Sequence, residues 1–329
     1  MEIAGLMNEI VERLQGRTAI VQIIVDGECH LRRVGDVNGL IDHPELVAPS
    51  ATESFLKWMA TQIEVAAVCE ATKGNHRNCL DHLRRFRPTM TFADVNYSLV
   101  SEFDAYLRAL RLAVNTIAKI MKVWHRYINI ALGEDLLVRD PFRKYTIRRE
   151  DTHKASLTER ELKKLERGAD TLPDDERSVV SAFLFSCYTG LRYSDLCRVR
   201  GSDVRSSGRQ RWLSLRTRKT GAEVRVPLSV SFGGKAVTLV SGEGRLFDLP
   251  NNARSNILLR RAMKRLHIRK RVSMHCGRVT CATICLLRGV PLSVIQHILG
   301  HKSITTTASV YAHVRDNTIV RSLRRAWRA

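Results

Sequence analysis

Five short patterns follow one another in the C-terminal half of this 329-residue chain: Thr189-Gly190-Leu191-Arg192, Lys219-Thr220-Gly221, His275-x-x-Arg278, Leu299-Gly300-His301, and Tyr311 within Ser309-Val310-Tyr311. Their residue types suit attack on a phosphodiester, an anion that gathers further negative charge on its nonbridging oxygens as the nucleophile adds. Arg192 and Arg278 meet that need as a clamp, because a guanidinium stays charged and presents a planar fork to phosphate oxygens that lysine lacks. Tyr311 supplies a phenolic oxygen as covalent nucleophile. A phenol with an unperturbed pKa of about 10 is mostly protonated at neutral pH, and His275 is the candidate general base for it. His301 follows Gly300 at the end of a helix opened by Pro291, where it can hydrogen-bond the phosphate or the pentavalent transition state. Asp195 lies three residues after Arg192. It shares a helical face with Arg192 if a helix follows, which suits it to orient a catalytic group.

Each pattern alone is commonplace. An arginine after a helix-ending glycine is usually at the surface, a lysine in a hairpin turn is usually solvated, and a lone tyrosine usually packs. Their order along one chain, each on a suitable kind of element, carries the reading. Composition points the same way: 54 Lys+Arg against 33 Asp+Glu leave a formal charge of +21, with 16 of the basic residues and one acid, Asp316, between Asn251 and Ala329. Such a field favours a polyanion through phosphate contacts and counterion release, and nucleic acid leads the candidates.

The eight cysteines are dispersed, with no C-x-x-C pair that would suggest zinc, so no metal is expected and a reduced, cytoplasmic setting is. No stretch reaches the roughly 18 apolar residues of a membrane span, and the N-terminus lacks a basic segment followed by an apolar one. Cys276, beside His275, reads as core packing rather than as a thiol nucleophile.

The elements that must hold these groups follow a pattern that predicts a mainly α fold with a small antiparallel sheet, an α+β arrangement. Residues 1–50 carry a short hairpin, Ala19–Val25 and Glu28–Val34 about an Asp26-Gly27 turn. Residues 51–142 read as a helical domain, with helices at Glu53–Glu70, Asn75–Phe86, Leu99–Leu110 and Leu112–Leu132. On the last of these, Ile117, Ile120, Met121, Trp124 and Ile128 form an apolar stripe, while Asn115, Lys119, Lys122 and Arg126 form a polar one that can touch phosphates. The charged run in 143–156 reads as a linker. In 157–329, Thr158 and Glu161 make a capping box, and an apolar helix over Val179–Tyr188 stops at Gly190. Strands follow at Arg211–Thr217 and Val224–Leu228, with a third at Lys235–Val240, and helices resume near Asn252. Thr318–Trp327 is expected as an amphipathic helix docking on a neighbouring protomer or on its own domain.

From about Leu157 to Val314 the chain resembles the catalytic domain of the tyrosine recombinases, the phage integrase family, with Arg, Lys, His-x-x-Arg, His and Tyr at matching places. The run Phe183 to Leu196 and the upstream Asn115-Thr116-Ile117-Ala118-Lys119 look similar to integrases of Bacteroidetes mobile elements. The resemblance implies a site-specific recombinase that integrates, excises or inverts DNA through a 3′-phosphotyrosine, without metal or other cofactor. It implies Lys219 as the general acid for the leaving 5′ oxygen, a C-shaped clamp of helical and catalytic domains, and a homo-tetramer on two double-stranded DNA recombination sites. One departure stands out: where the family usually reads His-x-Leu-Arg-His, this chain has His275-Cys276-Gly277-Arg278-Val279. Residues 18–34 look like the start of an arm-type DNA-binding domain, and 1–50 read as too short for a whole one.

Type IB topoisomerases share the Arg, Lys and Tyr chemistry, and the helical domain with Leu299-Gly300-His301 favours a recombinase over them. A DNA-binding relative that had lost catalysis should have lost some of the six principal residues, and all are present. A metal-dependent transposase would need a carboxylate cluster from a chain whose stretch Asn251 to Ala329 has a single acid.

Overall fold

The computed structural model describes the backbone of residues 19–25 and 28–34 and the whole of residues 53–151 and 155–301. The Asp26-Gly27 turn, Tyr311 and the expected Thr318–Trp327 helix lie outside the described residues. By internal contacts the chain divides into two compact units, Met1–Asp151 and Thr152–Ala329.

The first unit opens with β1 (Ala19–Val25) and β2 (Glu28–Val34), paired antiparallel so that Ala19 faces Val34 and Val25 faces Glu28. Four helices follow: α1 (Phe55–Val65), α2 (Glu70–Phe86), α3 (Tyr97–Ala109) and α4 (Val114–Gly133). The helix expected over Glu53–Glu70 ends at Val65, where the chain turns extended at Ala66, and the next, expected from Asn75, already begins at Glu70. No glycine or proline marks that break, and the apolar spacing runs on through Ala66 and Ala67, so periodicity alone passes over it. The core is aromatic: Trp124 of α4 is fully buried and meets Phe103 and Phe142 edge-on at centroid distances of 5.1 and 5.3 Å. Burial of such a ring contributes about 1.5–3 kcal/mol, which fixes the rotation of α4 about its axis. The rotation leaves Lys119, Lys122 and Arg126 exposed on the opposite face.

The second unit begins with α5 (Glu159–Gly168), whose Thr158–Glu161 capping box is formed in both directions. Next comes α6 (Asp174–Thr189), buried along most of its last eleven residues, at the centre of the core. A short helix α7 (Tyr193–Leu196) leads to a sheet of β3 (Val204–Ser207), β4 (Gln210–Arg216) and β5 (Glu223–Pro227), antiparallel in that order. Leu213 pairs with Val204 on one side and Val226 on the other, and with Val224 it turns the apolar face of the sheet inward.

The strand expected at Lys235–Val240 is not one. Residues Ser231–Leu239 form tight 3-10 turns in which Phe232, Gly233 and Gly234 all take positive φ, and Val237 and Leu239 pack on the core from there. Three successive left-handed residues curl the chain too tightly for strand pairing. The third strand is instead Val204–Ser207, whose burial is too slight to show as an apolar alternation. Helices α8 (Asn252–Arg265), α9 (Met274–Leu287) and α10 (Leu292–Leu299) complete the described unit. Among the described residues no helix is long and apolar enough to cross a membrane.

Candidate active site

Two left-handed glycines bring the site together. Gly190, at φ 71°, ends α6, and Gly300, at φ 59°, ends α10. Each is also a point of close approach: a Cβ on Gly190 would lie 2.5 Å from Leu299 Cδ2, and one on Gly300 would lie 2.6 Å from Val224 Cγ2. Glycine is therefore required at both for conformation and for space. Arg192 follows Gly190 by two residues and His301 follows Gly300 directly, and both are half-buried.

Arg278, on the buried side of α9 and only 4% exposed, ties these two ends together. Its Nη1 donates to Gly190 O and its Nη2 to Leu299 O, each at 2.7 Å. A guanidinium at the C-termini of two helices meets their unpaired carbonyls and the negative ends of their dipoles. Arg278 is thus a structural tie in addition to the phosphate ligand expected from its type.

Arg278, Arg192 and His275 all act electrostatically on His301. Burial lowers the His301 imidazole from 6.5 to about 4, and Arg278, Arg192 and His275 push it the same way. His301 is therefore neutral at physiological pH. Burial holds the Arg192 guanidinium below its ordinary range while Asp195 pulls it back. Arg192 Nη1 is buried without a hydrogen-bond partner among the described residues. An unpaired charged donor is costly to bury, so an arginine held this way suits an anion that comes from outside the protein. His275 lies in the first turn of α9 with its side chain exposed.

Lys219 sits exposed at the turn between β4 and β5. The turn is held by its neighbours: Arg218 N–H donates to Asp195 Oδ1 at 2.8 Å, Thr217 Oγ1 meets Thr220 Oγ1 at 2.8 Å, and Thr217 and Ala222 pack beneath Gly300. Asp195, fully buried, also receives Arg198 Nε at 3.3 Å. It faces Arg192 electrostatically and the Lys219 turn by hydrogen bond, so it links two of the expected site residues.

The departure at Gly277 has a packing reason. A Cβ there would lie 2.9 Å from Ser186 Cβ and 3.1 Å from Phe183 O, so α9 runs against α6 too closely for the usual leucine. Ser186 in turn donates to Leu191 O at 2.8 Å, bracing the residue before Arg192. Sequence reasoning missed Ser186: a serine inside an apolar helix carries no local sign of such a bond. The described cysteines are all free thiols; burial raises the pKa of Cys187, and a hydrogen bond with Cys285, together with burial, raises that of Cys281.

In the first unit, Lys119, Lys122 and Arg126 line an open groove of about 460 Å³ with Asn115, Arg149 and His76. His76 is buried in its floor, with Nδ1 2.8 Å from the Tyr127 hydroxyl.

Residues 155–318 match the phage integrase family and residues 54–147 match the phage integrase SAM-like domain. The chain belongs to the phage integrase family. It is 27% identical over 267 residues to the tyrosine recombinase XerC of Halalkalibacterium halodurans, covering 72% of this chain and 86% of that one. A tyrosine recombinase of Thermosipho africanus is 31% identical over 143 residues, 39% of this chain and 47% of the relative, and one of Pseudothermotoga lettingae is 32% identical over the same length, 48% of the relative. The chain thus spans about half the length of those two curated relatives. Among solved structures, a lambda integrase dimer bound to a core site superposes with a TM-score of 0.67 at 16% identity, covering 90% of this chain and 96% of that one. The Tn1549 transposon integrase in complex with transposon right end DNA gives 0.66 at 19%, covering 83% and 99%. These likenesses fix the fold.

Proposed function

We propose that this chain is a site-specific DNA recombinase that cleaves and rejoins DNA through Tyr311. The phenolic oxygen attacks phosphorus, its proton passing to His275. The bond from phosphorus to the 5′ oxygen breaks and a 3′-phosphotyrosine ester forms, while Lys219 protonates the departing 5′ oxygen. Attack by a 5′ hydroxyl on the ester reverses each step. The ester preserves the bond energy, so rejoining requires no nucleotide. Arg192 and Arg278 balance the charge that builds on the nonbridging oxygens, and neutral His301 donates a hydrogen bond to them.

The observation that carries this reading is the buried Nη1 of Arg192, without a hydrogen-bond partner among the described residues, beside Arg278, His301 and His275. A cluster of cations and imidazoles with a donor left over fits one phosphate. The family match and the excess positive charge support DNA as its source. The run Phe183–Leu196 supports a place among integrases of mobile elements. The proposal extends to a clamp of the two units on DNA and to a tetramer on two sites, as in the lambda integrase tetramer bound to a Holliday junction.

The test is incubation with a DNA substrate nicked near the crossover, which traps the covalent adduct. Wild type should form a protein–DNA adduct and Tyr311→Phe should not. An adduct that persists in Tyr311→Phe removes the proposed nucleophile. Relaxation of supercoils without any required site would favour a topoisomerase instead.

A further inference from the structure

Asn115 belongs to the polar stripe of α4 that suggests a DNA contact, yet its amide is engaged within the protein. Nδ2 donates to Glu150 O at 2.8 Å and Glu150 N–H donates back to Oδ1 at 3.2 Å. An asparagine that reads adenine uses this same pair of atoms, one donor and one acceptor on one edge of the amide. Here that edge holds the backbone of a segment 35 residues further along the chain.

The segment it holds carries charge. Arg149, next to Glu150, lines the same groove as Lys119, Lys122 and Arg126, although it comes from a stretch that the sequence presents only as linker. Tyr145 Oη donates to Asp104 at 2.7 Å, so residues 145–150 are tied to the helical unit at two points. Ile147 packs on the same core, and beyond it the Asn115 bridge is the described contact that holds the backbone beside Arg149, which is exposed and has no secondary structure of its own.

We infer that Asn115 is a positioning residue that latches the 145–150 segment onto α4, so that Arg149 joins Lys119, Lys122 and Arg126 in a phosphate-binding groove for the DNA backbone. This rests on the DNA-binding reading above. A loose arginine loses most of its contribution to the entropy of ordering a long side chain and its backbone. A latched one is held near its ligand in advance.

The experiment uses the full chain and a short fluorescent duplex of arbitrary sequence, with affinity measured by anisotropy across a salt series. Each phosphate contact contributes about 0.9 to the slope of log affinity against log salt, or roughly a threefold loss across a fourfold rise in salt. Arg126→Ala and Arg149→Ala should each reduce the slope by about one. Asn115→Ala should reduce it by nearly as much with no change of charge. The double variant Asn115→Ala, Arg149→Ala should behave like Arg149→Ala alone, since a latch has no effect once its cargo is gone.

Additive losses in the double variant, or an unchanged slope in Asn115→Ala, overturn the inference. If Arg126→Ala and Lys122→Ala also leave binding unchanged, the DNA-binding reading of this face fails as well. Melting temperatures of all variants separate a lost latch from a lost fold: a slope that falls only where the helical unit has unfolded also counts against the latch.

Discussion

Replacing Arg192 with methionine should make the free protein more stable and abolish its activity. Methionine keeps the length and apolar stem of the arginine while removing the charge. The guanidinium is partly buried, one of its nitrogens has no hydrogen-bond partner among the described residues, and Arg278 is a second cation nearby. Leaving a buried polar group unsatisfied costs about 1–3 kcal/mol. The attraction of Asp195 offsets part of this, and Asp195 keeps Arg198 Nε and Arg218 N–H when Arg192 is gone. A net gain of about 1 kcal/mol is the expectation, which for a unit the size of Thr152–Ala329 raises Tm by roughly 2–4 °C. Loss of a preorganised donor to the developing charge should cost about 10²–10³ in cleavage rate, and loss of a full cation at least as much. Scanning calorimetry of the full chain gives the first quantity and adduct formation on the nicked substrate the second. Sulfate supplies a control: it should raise the wild-type transition by binding between the arginines and leave that of Arg192→Met unchanged. A lower Tm together with preserved cleavage would refute the idea that Arg192 is held under tension for an incoming anion.

The remaining predictions concern the groups around it. Gly277→Leu, which restores the residue usual in the family, should destabilise the catalytic unit by about 1–3 kcal/mol or more, because its Cβ alone would collide with Ser186 and the Phe183 carbonyl; a melting curve equal to wild type would mean that α9 and α6 separate freely. Asp195→Ala should release the Lys219 turn by freeing Arg218 N–H. Its cleavage defect should then be largely rescued by a substrate with sulfur at the 5′ bridging position, which leaves without a proton, whereas a defect in phosphate binding would not be rescued. For His301, whose folded pKa of about 4 lies below its unfolded 6.5, the unfolded chain binds the extra proton between those values. Stability should therefore fall as pH drops from about 6.5 towards 4, and His301→Gln should flatten that limb of a Tm-against-pH curve. An unchanged limb would show that His301 is protonated in the folded protein.

What the sequence made legible was local. The Thr158–Glu161 box, the stop at Gly190 and the Pro291–Gly300 helix each depend on residues within a few positions of one another, and all three form. The types of Arg192, Lys219, His275, Arg278 and His301 and their order were legible too, because the chemistry of a phosphate constrains residue type more tightly than residue position. Illegible was whatever depended on which elements cross. Arg278 holds two helix ends because α6 and α10 finish beside α9, Gly277 is small because α6 passes there, and Asp195 reaches a turn 23 residues away in the chain. The error at Lys235–Val240 has the same origin. A short β-branched run pairs as a strand only if an edge is within reach, and the left-handed curl at Phe232–Gly234 carries this one onto the core instead. Asn115 is the sharpest case. On a helical wheel it stands with three cations and reads as their partner at the DNA, yet a backbone 35 residues distant already occupies its amide. A stripe on a helix thus records which side chains share a face, and the function of each depends on which of them the rest of the chain has already engaged.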